Sequence, residues 1–287
     1  MKEGLKICAV VVTYNRQNRL FQCLNGLLSQ TRLPDMIIVV DNASTDGTEE
    51  MLKYNFSNNP LIEYFNLGTN MGGGGGFHYG SRKAFLDGYD WVWLMDDDCL
   101  ATTECLEKLV SEIEDIQNVY SPIILSIEDK KTVLWGIKAK INSGTKEVST
   151  LPFNGFLIHR HSLQSLGYPQ KEYFIYGDDT EFNMRAKVNG KKILMVTKSI
   201  MYHPYKNNMK GIKIYKMFLN KLWAYYKIRN AIIIYKKYRY LSLNQVIMFI
   251  AAAIFYIMTI NLKFFRLWLE GLKDGINGNL YVKKNLV

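Results

Sequence analysis

The sequence predicts an α/β fold: a mainly parallel sheet flanked by helices, followed by a helical, basic and aromatic C-terminal extension. Three observations carry this. Short runs rich in Val and Ile, at Lys6–Val12 and Met36–Asp41, read as buried strands, and Trp91–Met95 is a third apolar run. Between the first two, Leu20, Leu24, Leu27 and Leu28 recur at helical spacing. Strand then alternates with helix, which implies parallel pairing and functional loops at the carboxyl ends of the strands. Near Lys213 the composition changes, which divides the chain into a domain at 1–212 and an extension at 213–287.

Further elements follow the same rules. Thr132–Ile137 and Gly155–His159 read as strands, Asp179–Val188 as a helix, and Lys191–Val196 as a strand after it. Tyr215–Tyr240 is aromatic and basic at helical spacing. Leu241–Leu262 has no charged residue over 22 positions, close to the ~20 a spanning helix needs. Asn244, Gln245, Tyr256 and Thr259 dilute it and both flanks are basic, so an interfacial or dimer-buried helix is preferred to a spanning one. The run Gly72–Gly76 reads, taken alone, as a flexible loop.

Length and charge narrow the classes. At 287 residues the chain suits one large domain, or a domain with an appendage. Cys8, Cys23, Cys99 and Cys105 have neither zinc nor redox spacing and read as free thiols in a reducing compartment. The start runs straight into KICAVVVTYN without the features of a signal peptide, so a cytoplasmic protein is expected. The net charge of +10 is unevenly spread. Residues 187–287 carry 19 Lys or Arg against two acids, +17, and residues 1–186 carry 17 against 24, −7. An acidic front suits a metal site, and a basic tail suits an anionic surface.

Several clusters could carry chemistry. Asp96-Asp97-Asp98 ends the Trp91–Met95 run. Acids at alternate positions, Asp96 and Asp98, can share a hard divalent cation, and a solvated acidic turn or a helix cap is the plainer alternative. The glycines after Asn70 leave backbone amides open to a phosphate or sugar, but match neither the phosphate loop nor the dinucleotide fingerprint. Asp41 opens a segment of turn formers, Asp41–Gly47, where an acid can reach a base or ribose or simply make a turn. Asp178 and Asp179, with Glu181 and Arg185 beyond, could supply a general base or cap a helix. His203 becomes a plausible third metal ligand once two acids are in place, whereas His78, His159 and His161 read as structural.

In this order, VVVTYNR, VVDNASTDGT, NMGGGGG, WLMDDD and YGDDTEF with a following Arg resemble glycosyltransferase family two, with its GT-A fold, over about residues 5–205. The resemblance implies a nucleotide-sugar donor, a divalent Mn²⁺ or Mg²⁺, and inversion at the anomeric carbon. Carried onto this sequence, it puts Thr13, Asn15, Arg16, Asp41, Asn70, Gly73, Gly74 and Asp97 on the donor and Asp96, Asp98 and His203 on the metal. It makes Asp179 the catalytic base and sets Asp178, Glu181 and Trp135 on the acceptor side.

The three acids and the multi-glycine run look most like galactofuranosyltransferases, so UDP-galactofuranose is the favoured donor, ahead of dTDP-rhamnose and then common UDP-hexoses. The larger polymerising members carry extra domains this chain lacks, which favours a single-linkage or short-chain transferase. The acceptor is expected to be a lipid-linked glycan in cell-surface polysaccharide biosynthesis. The protein is then cytoplasmic and peripheral at the inner face of the membrane. Trp223, Tyr225 and Tyr226 would meet the interface, extended by Trp268 and Leu269, or the helices would pack on the domain or between subunits of a homo-oligomer. Nucleic acid is not an expected partner, because the basic charge is confined to the tail. A non-catalytic nucleic-acid-binding or membrane scaffold is the alternative of another class. A nucleotidyltransferase is disfavoured by the lack of a Gly-rich loop with a basic residue after the first strand.

Overall fold

A computed structural model of the chain describes residues 4–205, 216–283 and 286. The proposed boundary at 212/213 lies outside the described residues. The described chain forms one nine-stranded mixed sheet with helices on its faces. The first strand, β1 (Ile7–Thr13), is buried along its whole length, as its unbroken apolar run requires for a strand covered on both faces. It pairs in parallel with β2 (Met36–Asp41), which pairs in parallel with β3 (Ile62–Asn66); on its other side it pairs in parallel with β4 (Trp91–Asp96). Helix α1 (Gln17–Leu28) buries Leu20, Cys23, Leu24 and Leu27 against one face. Helices α2 (Thr48–Phe56) and α3 (Gly72–Leu86) complete the parallel half.

Beyond β4 the sheet turns mixed. After the short β5 (Leu100–Ala101) and helix α4 (Cys105–Ser111) come β6 (Val119–Ser126), β7 (Thr145–Glu147), β8 (Phe156–His159), α5 (Arg160–Leu166), α6 (Asp178–Val188) and β9 (Ile193–His203). β8 lies antiparallel between β4 and β6, and β6 pairs in parallel with β9. β9 runs seven residues past the expected end at Val196. A shift in register, Pro122 pairing with Val196 but Ile123 with Ile200, lets it continue and deliver His203.

Two expected elements come out differently. Thr132–Ile137 is not a strand; Val133 makes one isolated bridge, to Leu125. The preceding turn, where Asp129 accepts from the amides of Lys131 and Thr132, and Gly136 at φ +81° take the chain off the sheet edge. The glycine run is not a loop but the first turns of α3. A Cβ on Gly72 would lie 2.1 Å from the Phe174 carbonyl oxygen, and one on Gly76 would lie 2.4 Å from Val12 Cγ1. The glycines therefore let α3 press against β1 and the 170–174 segment, at the helix-propensity cost such residues carry.

The extension is helical. A π-helical turn (Trp223–Lys227) runs into α7 (Ile228–Tyr238), followed by α8 (Leu243–Met258), capped by a Ser242–Gln245 capping box, and α9 (Leu262–Asn277). The uncharged 22-residue stretch is broken at Ile260, which takes φ +52°, so it supplies α8 and the start of α9. Among the described residues no helix is long and apolar enough to cross a membrane. Trp223, Tyr225 and Tyr226 are buried core, not an interfacial surface: Trp223 packs with Phe218, Ala252 and Tyr256, and Phe174 stacks on Tyr226.

Candidate active site

The carboxyl ends of β1 and β4 open onto a cavity of about 750 Å³, within the size range of small-molecule sites. Register puts Asp96 beside Val12 and Asp41 beside Thr13, so the acids of β2 and β4 emerge at one edge of the sheet. Thr13 and Arg16 reach the wall from β1, and Asp96 and Asp97 from β4. Asn70, Gly72 and Gly73 enter at the start of α3, where Asn70 Oδ1 accepts the Gly72 amide at 2.9 Å. Trp135 lines the side toward β9 and packs edge-on against His203, with ring centroids 4.9 Å apart. Asp178 and Asp179, at the N-terminus of α6, form the opposite wall.

The acid cluster is tied together by few cations. Thr13 Oγ1 donates to Asp97 Oδ2 at 2.7 Å, and Arg16 Nη1 donates to Asp97 Oδ1 at 3.2 Å and to Asp98 Oδ2 at 2.8 Å. His203 Nε2 lies 3.1 Å from Asp98 Oδ1, yet that buried oxygen has no aligned hydrogen-bond donor. Burial pushes the Asp96 carboxyl well above its ordinary range, with Asp98 and Asp97 adding to the effect. Burial also raises Asp97, against the pull of Arg16, to about 6. For Asp98 burial is outweighed by His203 and Arg16, which hold it below the usual carboxylate value.

Two hard carboxylates and an imidazole, with one buried Asp98 oxygen lacking an aligned donor, are the donor chemistry of a divalent cation site. As the side chains stand, no three such groups among the described residues converge on one point, and Arg16 occupies Asp98 Oδ2. Residues of the right type are therefore present, and the Arg16 contact is what a cation would have to displace.

Across the cavity, burial and its neighbour Asp179 raise Asp178 to about 7. Asp179 is half-buried; burial raises it too, opposed by Lys227 and by the amide and hydroxyl of Thr180, both of which donate to Asp179 Oδ1. The α6 macrodipole favours both charges. Asp178 also adds to the upward push on Asp96, so the two acid groups sense each other across the space between them.

Other expected residues stand further back. Asn15 knits two loops, its Oδ1 accepting the Thr45 amide at 2.7 Å and its own amide donating to Ser44 Oγ at 2.8 Å. Asp41 is fully buried and accepts from Ser44 and from the Tyr64 hydroxyl. Gly74 packs beneath the 170–174 segment, its amide donating to the Phe174 carbonyl at 3.0 Å. Glu181 is buried behind the wall, held by Arg185 at 2.8 Å, Lys237 at 3.2 Å and the Tyr238 hydroxyl at 2.7 Å. His78 and His159 are structural, the first bonding the Pro169 carbonyl and the second capping α5.

The extension also contributes to the cavity, which its sequence does not signal. Leu222, Lys227 and Tyr240 line the cavity, together with Tyr176 of the preceding loop. Asn230 Nδ2 donates among three carbonyls of that loop, Tyr173 at 3.0 Å, Ile175 at 2.9 Å and Tyr176 at 2.9 Å. Arg229 is fully buried with no ion-pair partner among the described residues. It donates to the carbonyls of Glu172, Tyr173 and Tyr281 and lies over the Tyr226 ring. The pinned loop is strained, with Phe174 at φ +64° and Tyr176 at φ +65°, and it leads directly into Asp178. No local motif marks these residues; Lys227, Arg229 and Asn230 look in sequence like any part of the basic run.

A mixed sheet with helices on its faces, and carboxylates at the ends of its parallel strands, is a GT-A-like fold. The chain belongs to glycosyl transferase family 2, which matches residues 8–171. It is 34% identical over 201 residues to galactofuranosyltransferase GlfT1 of Mycobacterium tuberculosis, and 30% identical over 204 residues to that of Mycolicibacterium smegmatis. The first match covers 64% of this chain and 65% of the relative, so the chain spans just under two thirds of that relative's length. Among solved structures, S. aureus TarS in complex with UDP-GlcNAc aligns over 95% of this chain and 81% of that one, with TM-score 0.61 and 18% identity. GalNAc-T7 with UDP, GalNAc and Mn²⁺ aligns over 89% of this chain and 57% of that one, with TM-score 0.62 and 15% identity. At these identities the structural likeness is one of fold.

Proposed function

We propose that the chain is an inverting, metal-dependent hexosyltransferase that transfers galactofuranose from UDP-galactofuranose to a hydroxyl of a lipid-linked glycan at the inner face of the cell membrane. The observation that carries this is the cavity itself, lined by the acid pair Asp178–Asp179 and by Asp96 and Asp97, with Asp98 next in the chain and 3.1 Å from His203. The galactofuranosyltransferase relatives support the donor, and the fold neighbours described with UDP-GlcNAc and with UDP support a nucleotide diphosphate in the cavity.

Asp96, Asp98 and His203 are the residues that would hold Mn²⁺ or Mg²⁺. Bound there, the ion would neutralise the diphosphate and make it a better leaving group. In this reading Arg16, released from Asp98, is free to meet the donor, and Thr13 keeps Asp97 oriented toward ribose or sugar. Asp179 accepts the proton of the acceptor hydroxyl. The acceptor oxygen bonds the anomeric carbon as the bond to the diphosphate oxygen breaks, and UDP leaves from the opposite face. Base assistance of this kind contributes roughly 10²–10⁴-fold. Trp135 and Asp178 flank the acceptor's approach, while Glu181 acts from behind by holding α6 to the extension.

The test is a pair of variants. Asp179→Asn should lose transfer by roughly 10²-fold or more while keeping donor binding; retained transfer would remove the base assignment. Asp98→Ala should abolish the gain in UDP affinity on adding Mn²⁺, and an unchanged gain would remove the ligand assignment.

A further inference from the structure

We infer that the outer face of α8 and the start of α9 is a docking surface for an anionic lipid bilayer, with a basic cleft at its end that takes lipid phosphate. This deepens the proposed function, since it names the surface through which a lipid-carried acceptor would be met; the observations themselves come from the extension alone.

Helix α8 is apolar on two faces. One buries Phe249, Ala252 and Tyr256 against the rest of the extension. The other carries Ile247, Ile250, Ile254 and Ile257 at spacings of three and four, each more than half exposed. Met258 at the end of the helix, with Ile260 and Leu262 beyond it, is exposed still further and continues the patch. A contiguous run of large aliphatic side chains in water marks an interaction surface. α8 has 16 residues, about 24 Å at ~1.5 Å per residue, too short for a ~30 Å hydrocarbon core. Such a helix lies in the interface, not across it.

At the Leu262 end the patch meets a second cavity, of about 610 Å³, lined by Lys221, Lys263 and Arg266 with Leu262 and Leu267. None of these three cations has an ion-pair partner among the described residues, and no acid occurs from Leu241 to Leu269. Lys263 and Arg266 stand in the first turns of α9, where the helix dipole adds positive potential instead of offsetting it. A second copy of the chain is the poorer occupant. A two-fold interface over this face would bring like charges together with no acid to answer them. A bilayer with anionic headgroups meets both features at once, burying the isoleucines and pairing the cations with phosphate.

The test is co-sedimentation of the full chain with vesicles of phosphatidylcholine alone or with phosphatidylglycerol added, without donor or acceptor. Binding should require the anionic lipid and fall steeply with salt. Lys221→Gln/Lys263→Gln/Arg266→Gln should weaken it roughly 100-fold, at about a factor of five per cation. Ile250→Ser/Ile254→Ser should weaken it while leaving the salt dependence unchanged, and inorganic phosphate at the same phosphate concentration should not displace the wild type. No binding to anionic vesicles, or equal binding by both variants, overturns the inference. So does displacement by inorganic phosphate, or a dimer in sedimentation that Ile250→Ser/Ile254→Ser dissociates without any vesicle binding. UDP binding measured in parallel separates this failure from that of the transferase reading, which does not depend on lipid.

Discussion

Replacing Asn230 by Ala should slow the chemical step without weakening donor binding, although Asn230 is buried and does not line the cavity. The side chain's two N–H groups serve the carbonyls of Tyr173, Ile175 and Tyr176. Arg229 still reaches Tyr173, so the substitution strands chiefly Ile175 and Tyr176. A buried acceptor left without a donor costs about 1–3 kcal/mol, so two cost about 2–6 kcal/mol before relaxation. The cheapest relaxation is local. Phe174 and Tyr176 each hold a left-handed backbone worth roughly 1–3 kcal/mol of strain, which the loop releases if it lets go. Since Gly177, Asp178 and the proposed base Asp179 follow at once, that base would move with it, and a shift of about 1 Å is enough for a ~10²-fold loss of rate. Steady-state transfer kinetics with a thermal melt decide the matter. The expected result is kcat down roughly 10–10²-fold, donor KM within about twofold, and a lowered Tm. A lowered Tm with unchanged kcat would refute the reasoning, because the bonds would then stabilise the fold without positioning the acid pair.

Other expectations follow from the same geometry. Asp97 has its pKa raised by burial to about 6 in the folded chain, so the folded state binds that proton more tightly than the unfolded one. In metal-free protein its contribution is therefore most favourable below about pH 4 and is lost as pH rises to about 6, by roughly 3 kcal/mol. Asp97→Asn should flatten urea-derived stability over that window and raise it at pH 7.5, at the expense of donor binding; a variant no more stable at pH 7.5 would contradict this. Gly72→Ala puts a methyl 2.1 Å from the Phe174 carbonyl at φ +69° and should lower the unfolding free energy by about 3 kcal/mol or more. A denaturation midpoint equal to wild type would show that α3 does not press on the 170–174 segment.

Strands β1, β2 and β4 were legible because they are buried on both faces and so read as unbroken apolar runs, with Asp41 and Asp96 at the ends of the last two; β3, Ile62–Asn66, is only partly buried and gave no such run. Asp178–Asp179 and His203 stood out in sequence by residue type and order, and the structure brings the acid pair to the cavity and His203 beside Asp98. The glycine run was misread because glycine usually disfavours helix; only the tertiary contacts of Gly72 and Gly76 show why α3 begins there. The aromatic residues of the extension were misassigned to a surface for a related reason. Helical spacing shows that Trp223, Tyr225 and Tyr226 can share a segment, not which side another element covers. The pinning of the 172–176 loop by Arg229 and Asn230 joins residues more than 50 positions apart through backbone carbonyls, which have no sequence signature.

If, as proposed, this cavity activates a nucleotide-sugar donor for attack by a glycan hydroxyl, nucleotide release reports it directly. Nucleotide release should be measured from a panel of UDP-galactofuranose, dTDP-rhamnose and common UDP-hexoses, with Mn²⁺ and a glycan acceptor, beside Asp179→Asn. Acceptor-dependent UDP release from UDP-galactofuranose, lost in the variant and on chelation, is the expected result. Release from dTDP-rhamnose alone would contradict the donor assignment, and silence across the panel without UDP binding would contradict the claim itself.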